Sequence, residues 1–251
     1  SGMDDLASLI EYVRDHDTSF YRDVWGPTSD IEVPVLMRNT LAITPLDKRR
    51  YTEGQQFVRL VSGDTPFLSS WRREDIAREE LPAVGRKPLS AFESSHDALY
   101  HALWCYEHQA VPLIAERSRD VTMYTAREFK VSDVLCDMHS SRDLIELLSD
   151  EKAQLETVSV IDQSFDVNFL RSIRAASVYA VLAFPETGVL GTAMVHTDDV
   201  LHFTPAHDVI FEHQETLIVT KLRRLVTPII RYDTGLRSKS LPAQNSFTLN
   251  T

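Results

Sequence analysis

Between residues 110 and 184 short apolar runs alternate with helical patterns, and this alternation constrains the fold more than any other feature of the chain. Residues 110–114, 131–135, 158–161 and 178–184 are each rich in β-branched or apolar side chains and predict buried strands. Residues 143–148, with Ser141 as cap, and residues 167–176 carry helical spacing. Strands separated by helices pair in parallel, with the helices on the sheet faces. From Gly188 the period changes. Residues 191–195, 200–203 and 209–212 are short strands at meander spacing, and 215–235 is a hairpin of two β-branched runs closed by Thr234-Gly235. The expected fold is α/β: a mainly parallel sheet with flanking helices, grading into a C-terminal antiparallel β-meander.

Upstream, Leu6, Leu9, Ile10 and Val13 recur at helical spacing and predict an amphipathic helix over 4–15. An aromatic segment at 20–25 and a proline-punctuated connector at 33–48 follow. Residues 57–61 form a strand that delivers the loop Ser62-Gly63-Asp64-Thr65-Pro66, and helices are expected over 71–81 and 96–108. Residues 237–251 lack periodicity and are expected to form a flexible tail.

With 251 residues, 43% of them hydrophobic, the chain is long enough to bury a sizeable core. The 37 acidic against 26 basic residues leave a net charge of −11, which repels a phosphate backbone and argues against nucleic acid as a partner. Two cysteines, Cys105 and Cys136, are too few for a disulfide framework and suit a reducing cytoplasm. No apolar run is long enough to span a bilayer, and the start lacks a signal-peptide pattern.

Three stretches carry residues suited to chemistry. The first is the 62–66 loop, whose small residues let backbone N–H groups converge on phosphate oxygens, with the Ser62 and Thr65 hydroxyls assisting. Asp64 in that loop repels phosphate unless a metal lies between them, and Pro66 removes a donor. The second is Leu182-Ala183-Phe184-Pro185-Glu186-Thr187-Gly188, a carboxylate delivered by a turn at the end of a strand. The third is the hairpin, ending Ile230-Arg231-Tyr232-Asp233-Thr234-Gly235, preceded by Leu201-His202-Phe203 and by Asp208 and Glu212.

In this order the stretches resemble the motifs of the adenylate-forming enzymes, and within them the phenylacetate-CoA ligase and acyl-protein synthetase branch. The resemblance covers most of the chain from about Phe20 to Leu236. It implies a nucleotide-domain-like region over 3–187 and an antiparallel β subdomain over 188–236. It assigns Ser62, Gly63, Asp64, Thr65, Phe184, Thr187 and Tyr232 to nucleotide binding, with Glu186 as the catalytic carboxylate that holds magnesium on ATP. The implied reaction is activation of an aryl or acyl carboxylic acid as acyl-AMP, with CoA or a carrier protein as acyl acceptor. The chain departs from the family pattern where the phosphate-loop lysine, the adenine-side tyrosine and the ribose aspartate belong; Leu182 and Leu236 occupy the last two positions. The family's C-terminal lid domain has no counterpart after Gly235, so a partner protein supplying that lid is expected if the chain is active. The alternative is a non-catalytic relative that binds a small ligand or a partner protein.

Other constellations are weaker. His101, Cys105 and His108 share one helical face at the spacing of a metal site, but no fourth ligand is near, which favours partly buried helix residues. His196, His202 and His207 lie in separate short segments, and no Gly-x-Ser-x-Gly supports a hydrolase. Arg72-Arg73 and Arg223-Arg224 suggest solvated faces, with Lys221, Arg223 and Arg224 available to an acidic partner or to CoA phosphates.

Overall fold

The structure is a computed structural model, described here for residues 5–16, 19–26, 33–50, 56–82, 85–224, 226–241 and 245–250. The chain divides into two compact units. One comprises residues 1–75, 185–187 and 205–251; the other comprises 76–184 and 188–204.

The second unit contains the predicted alternation. Its strands are β3 (Leu89–Ala91), β4 (Leu113–Ile114), β5 (Asp133–Cys136), β6 (Thr157–Asp162), β7 (Ser177–Phe184), β8 (Gly188–Met194) and β9 (His202–Pro205). They lie in the order β9-β8-β7-β6-β5-β3-β4. The run β7-β6-β5-β3-β4 is parallel, and β8 returns antiparallel to β7. Val158, Val160, Ala180, Val181 and Leu182 are fully buried, as expected for strands covered on both faces. Each buried Val or Leu contributes roughly 1.5–3 kcal/mol.

Helices α6 (Ser95–Glu107), α7 (Arg119–Glu128), α8 (Met138–Asp150) and α9 (Val167–Ser172) connect these strands. Three begin at a side-chain cap: Ser118 accepts from Val121 N, Asp137 from Ser140 N and Asp166 from Phe169 N. Two expectations change here. Asp137, not Ser141, caps α8, and Ser141 lies inside the helix, donating to Met138 O. Helix α9 stops at Ser172 because Ile173 turns extended. The sequence reading also missed β3, three residues long, and α7, whose buried residues are only Thr122 and Ala126.

The first unit holds α1 (Leu6–Asp15), α2 (Ser19–Trp25), α3 (Arg38–Ile43) and α4 (Leu46–Arg49). It also holds the hairpin β1 (Phe57–Val61) and β2 (Phe67–Trp71), which pair Phe57 with Trp71 and Val61 with Phe67. The expected helix over 71–81 is therefore shorter. Trp71 ends a strand, and α5 (Arg73–Arg78) starts where Asp75 accepts from Arg72 N at 3.0 Å.

The meander is present as β10 (Val209–His213), β11 (Leu217–Lys221) and β12 (Ile229–Asp233), each antiparallel to the next. A bulge between Val219 and Lys221 lets Thr220 Oγ1 accept from Arg231 N, and Arg231 adopts φ +50°. Its guanidinium forks onto both oxygens of Glu212 at 3.0 and 3.1 Å, which offsets the backbone strain.

Residues expected to form a flexible tail instead make a further hairpin, β13 (Ser238–Leu241) with β14 (Ser246–Leu249). Phe247 is 1% exposed and packs on Phe211 and His213. One buried aromatic and a polar alternation of four residues were too short a pattern to detect.

Candidate functional site

The candidate site is a buried polar cluster in the first unit, assembled from five chain segments. The turn after β7 supplies Glu186, which is 3% exposed. Strand β12 supplies Tyr232, whose hydroxyl donates to Glu186 Oε1 at 2.6 Å. Burial, and then the neighbouring carboxylate, push the Tyr232 phenol far above its ordinary range, so it stays protonated and donates.

Strand β2 supplies Ser69, Ser70 and Trp71. The loop after β11 supplies Arg224, which lies 3.8 Å above the Trp71 ring and donates to Ser69 Oγ at 2.6 Å and to Ser70 O at 3.1 Å. Thr227 Oγ1 also donates to Ser70 O, and the Trp71 indole donates to Pro185 O at 3.3 Å. The last of these bonds reaches the turn that carries Glu186. Helix α4 supplies Arg49, which donates to Thr44 O and Leu68 O; burial lowers its pKa to about 10. Arg224 corrects the expectation of a solvated arginine pair, being 2% exposed, and Lys221, 1% exposed, pairs with Asp208 at 3.4 Å.

Glu186, Arg49, Arg224, Ser69 and Thr227 line a cavity of about 10 Å³. That is room for roughly one water molecule. Glu186 Oε2 is buried without a hydrogen-bond partner. Magnesium does not fit this arrangement. It demands near-octahedral oxygen ligation, whereas here one carboxylate oxygen is held by Tyr232 and two guanidinium groups line the same space. Among the described residues no group of three or more His, Cys, Asp or Glu side chains is placed to hold a metal.

The other nominated residues fall in different places. Ser62, Gly63, Asp64 and Thr65 form the exposed turn between β1 and β2. Arg38 grips that turn, donating to Ser62 O and Thr65 O at 3.1 Å each. Gly63 sits at φ +145°, and a Cβ there would meet the Arg38 guanidinium at 2.8 Å. Thr187 is buried beside Glu186 in sequence, and Phe184, 7% exposed, ends β7 in the second unit. Tyr232 and Glu186 are thus the nominated pair that the fold joins directly.

Sequence reasoning missed Arg38, Arg49, Ser69, Arg224 and Thr227. Only the Arg223-Arg224 pair gave any signal, and it pointed to the surface. In the helical triad His101 and Cys105 are packed side chains and His108 is exposed. His101 stacks on Phe92 and bonds Asp97 O through Nδ1, Cys105 is buried with its thiol pKa raised to about 11, and His108 Nε2 donates to Ala77 O.

No family model matches this sequence, and no curated protein matches it. Solved structures do resemble its fold. The N-terminal subdomain of Klebsiella oxytoca NpsA, solved with anthranilyl-AMSN, superposes with a TM-score of 0.54 at 15% identity, covering 77% of this chain and 63% of that one. Brucella canis acyl-CoA synthetase gives a TM-score of 0.59 at 13% identity, covering 90% and 51%. Wild-type E. coli MenE, solved with an analogue of OSB-AMS, gives 0.55 at 9%, covering 79% and 49%. The chain therefore spans about half to three-fifths of the length of these neighbours. All three are adenylate-forming enzymes, and this chain has the α/β fold of their N-terminal domain.

Proposed function

We propose that this chain is a non-catalytic relative of the adenylate-forming N-terminal domain, serving as a binding or interaction subunit. The observation that carries this reading is the state of Glu186. Its carboxylate is buried and bonded to Tyr232, and the residue lines a cavity for about one water together with Arg49 and Arg224. A carboxylate used this way ties the turn after β7 to β12. Reaching a metal on ATP phosphates would require opening the buried cluster around Glu186. The test is ATP–pyrophosphate exchange with a panel of aryl and fatty acids; exchange above background with any acid sinks the proposal.

A second reading is favoured by the exposed 62–65 turn, which is preformed and open to solvent. In it the chain still activates a carboxylic acid as acyl-AMP, with ATP and magnesium, while a partner protein supplies the lid and CoA or a carrier protein accepts the acyl group. Ser62 and Thr65 would orient phosphates, and Phe184, Thr187 and Tyr232 would flank the nucleotide. The same exchange assay, positive only when a partner chain is added, would establish that version.

A further inference from the structure

A cleft of about 610 Å³ lies within the second unit, formed where the chain enters β3 and β4. Val111 N donates to Arg86 O at 2.7 Å, tying these two approaches together. Its volume falls within the range of small-molecule sites. Its lining includes Trp104 and His108, whose rings stack at 4.2 Å and 27°. Both rings are fixed by carbonyls: the indole N–H donates to Glu79 O at 2.9 Å, and His108 Nε2 donates to Ala77 O at 3.0 Å. The imidazole, exposed and donating through Nε2, presents a flat face beside an indole that is already buried.

Arg78 and Arg86 also line the cleft, and both are exposed. Among the described residues neither guanidinium is engaged by another side chain. The acidic residues of the lining, Glu79 and Glu80, have partners of their own; the Glu79 carboxylate accepts from Val189 N at 2.8 Å. Two forked cations beside a stacked aromatic pair suit one kind of ligand, because guanidinium binds carboxylate or phosphate bidentately while the exposed His108 ring accepts a flat partner by stacking.

We propose that this cleft binds a planar ring compound bearing an anionic group. The cleft is built from residues of the second unit and the Glu186 cluster from residues of the first, and the proposal holds whether or not the chain adenylates acids. The test is calorimetric titration of the whole chain with 2-naphthoate, 1-naphthyl phosphate and uncharged 2-naphthamide. At least one anion is expected to bind about tenfold or more tightly than the amide. Whichever anion binds more tightly identifies carboxylate or phosphate as the natural group. Arg78→Ala/Arg86→Ala, which alters only exposed side chains, is expected to lower that affinity by about tenfold or more. In amide-proton NMR the Trp104 indole signal moves on titration. Absence of binding at millimolar ligand, equal binding of amide and anions, or unchanged affinity in the double arginine variant would overturn the proposal.

Discussion

The Tyr232 hydroxyl and Glu186 Oε1 lie 2.6 Å apart, a buried bond that joins the last strand of the meander to the turn after β7. Removing the donor leaves a buried carboxylate short of a partner. Tyr232→Phe is expected to destabilise the fold by roughly 1–3 kcal/mol, measured by urea unfolding. Combined with Glu186→Gln, the two losses should be non-additive, since the residues share one bond. Additive losses would show that the pair does not act as a unit.

Arg224 makes three kinds of contact at once: the Trp71 face, the Ser69 hydroxyl and the Ser70 carbonyl. Arg224→Lys retains charge but loses the planar fork, so it should recover little of the stability lost in Arg224→Met. The expected loss in Arg224→Met is roughly 2–4 kcal/mol. Full rescue by lysine in the unfolding curve would show that charge alone matters.

Tyr21 pins α2 to the meander. Its hydroxyl donates to Pro228 O and accepts from Ile230 N, and burial drives its phenol pKa strongly upward. Tyr21→Phe strands both backbone groups and should cost roughly 1–3 kcal/mol, with a matching fall in Tm. An unchanged Tm would mean that water reaches these groups.

His213 gives the fold a pH dependence. Nδ1 meets Ser238 Oγ at 2.8 Å, Nε2 is buried without a partner, and burial holds the imidazole below its ordinary pKa of 6.5. The folded state therefore binds this proton less readily than the unfolded chain. The stability this confers is complete above pH 6.5 and is lost as pH falls through 6.5 toward the depressed folded value. Against His213→Gln, the wild type should lose more stability between pH 7 and about pH 5; parallel pH profiles would exclude the histidine as the cause.

Much of the fold was legible because its determinants are local. The apolar runs that became β5, β6 and β7, and the β-branched runs that became β11 and β12, carry strand periodicity over several residues each. Strand β3 and the β13–β14 hairpin are too short for a period to emerge, and Phe247 gains its meaning only by meeting Phe211 and His213. The same limit applies to the site. Glu186 and Tyr232 could be nominated from their motifs, but their bond spans 46 positions, and the Arg224–Ser69 bond spans 155. No local pattern reports that an arginine of a charged pair will turn inward onto a tryptophan.

The most direct measurement is thermal unfolding of the chain with and without millimolar Mg-ATP, and separately AMP, because a ligand bound to the native state alone must raise Tm. With Glu186 closed off by Tyr232, Arg49 and Arg224, neither nucleotide should shift Tm, in the wild type or in Glu186→Gln. A clear upward shift with Mg-ATP that Glu186→Gln abolishes would contradict the account and return Glu186 to a metal-binding role.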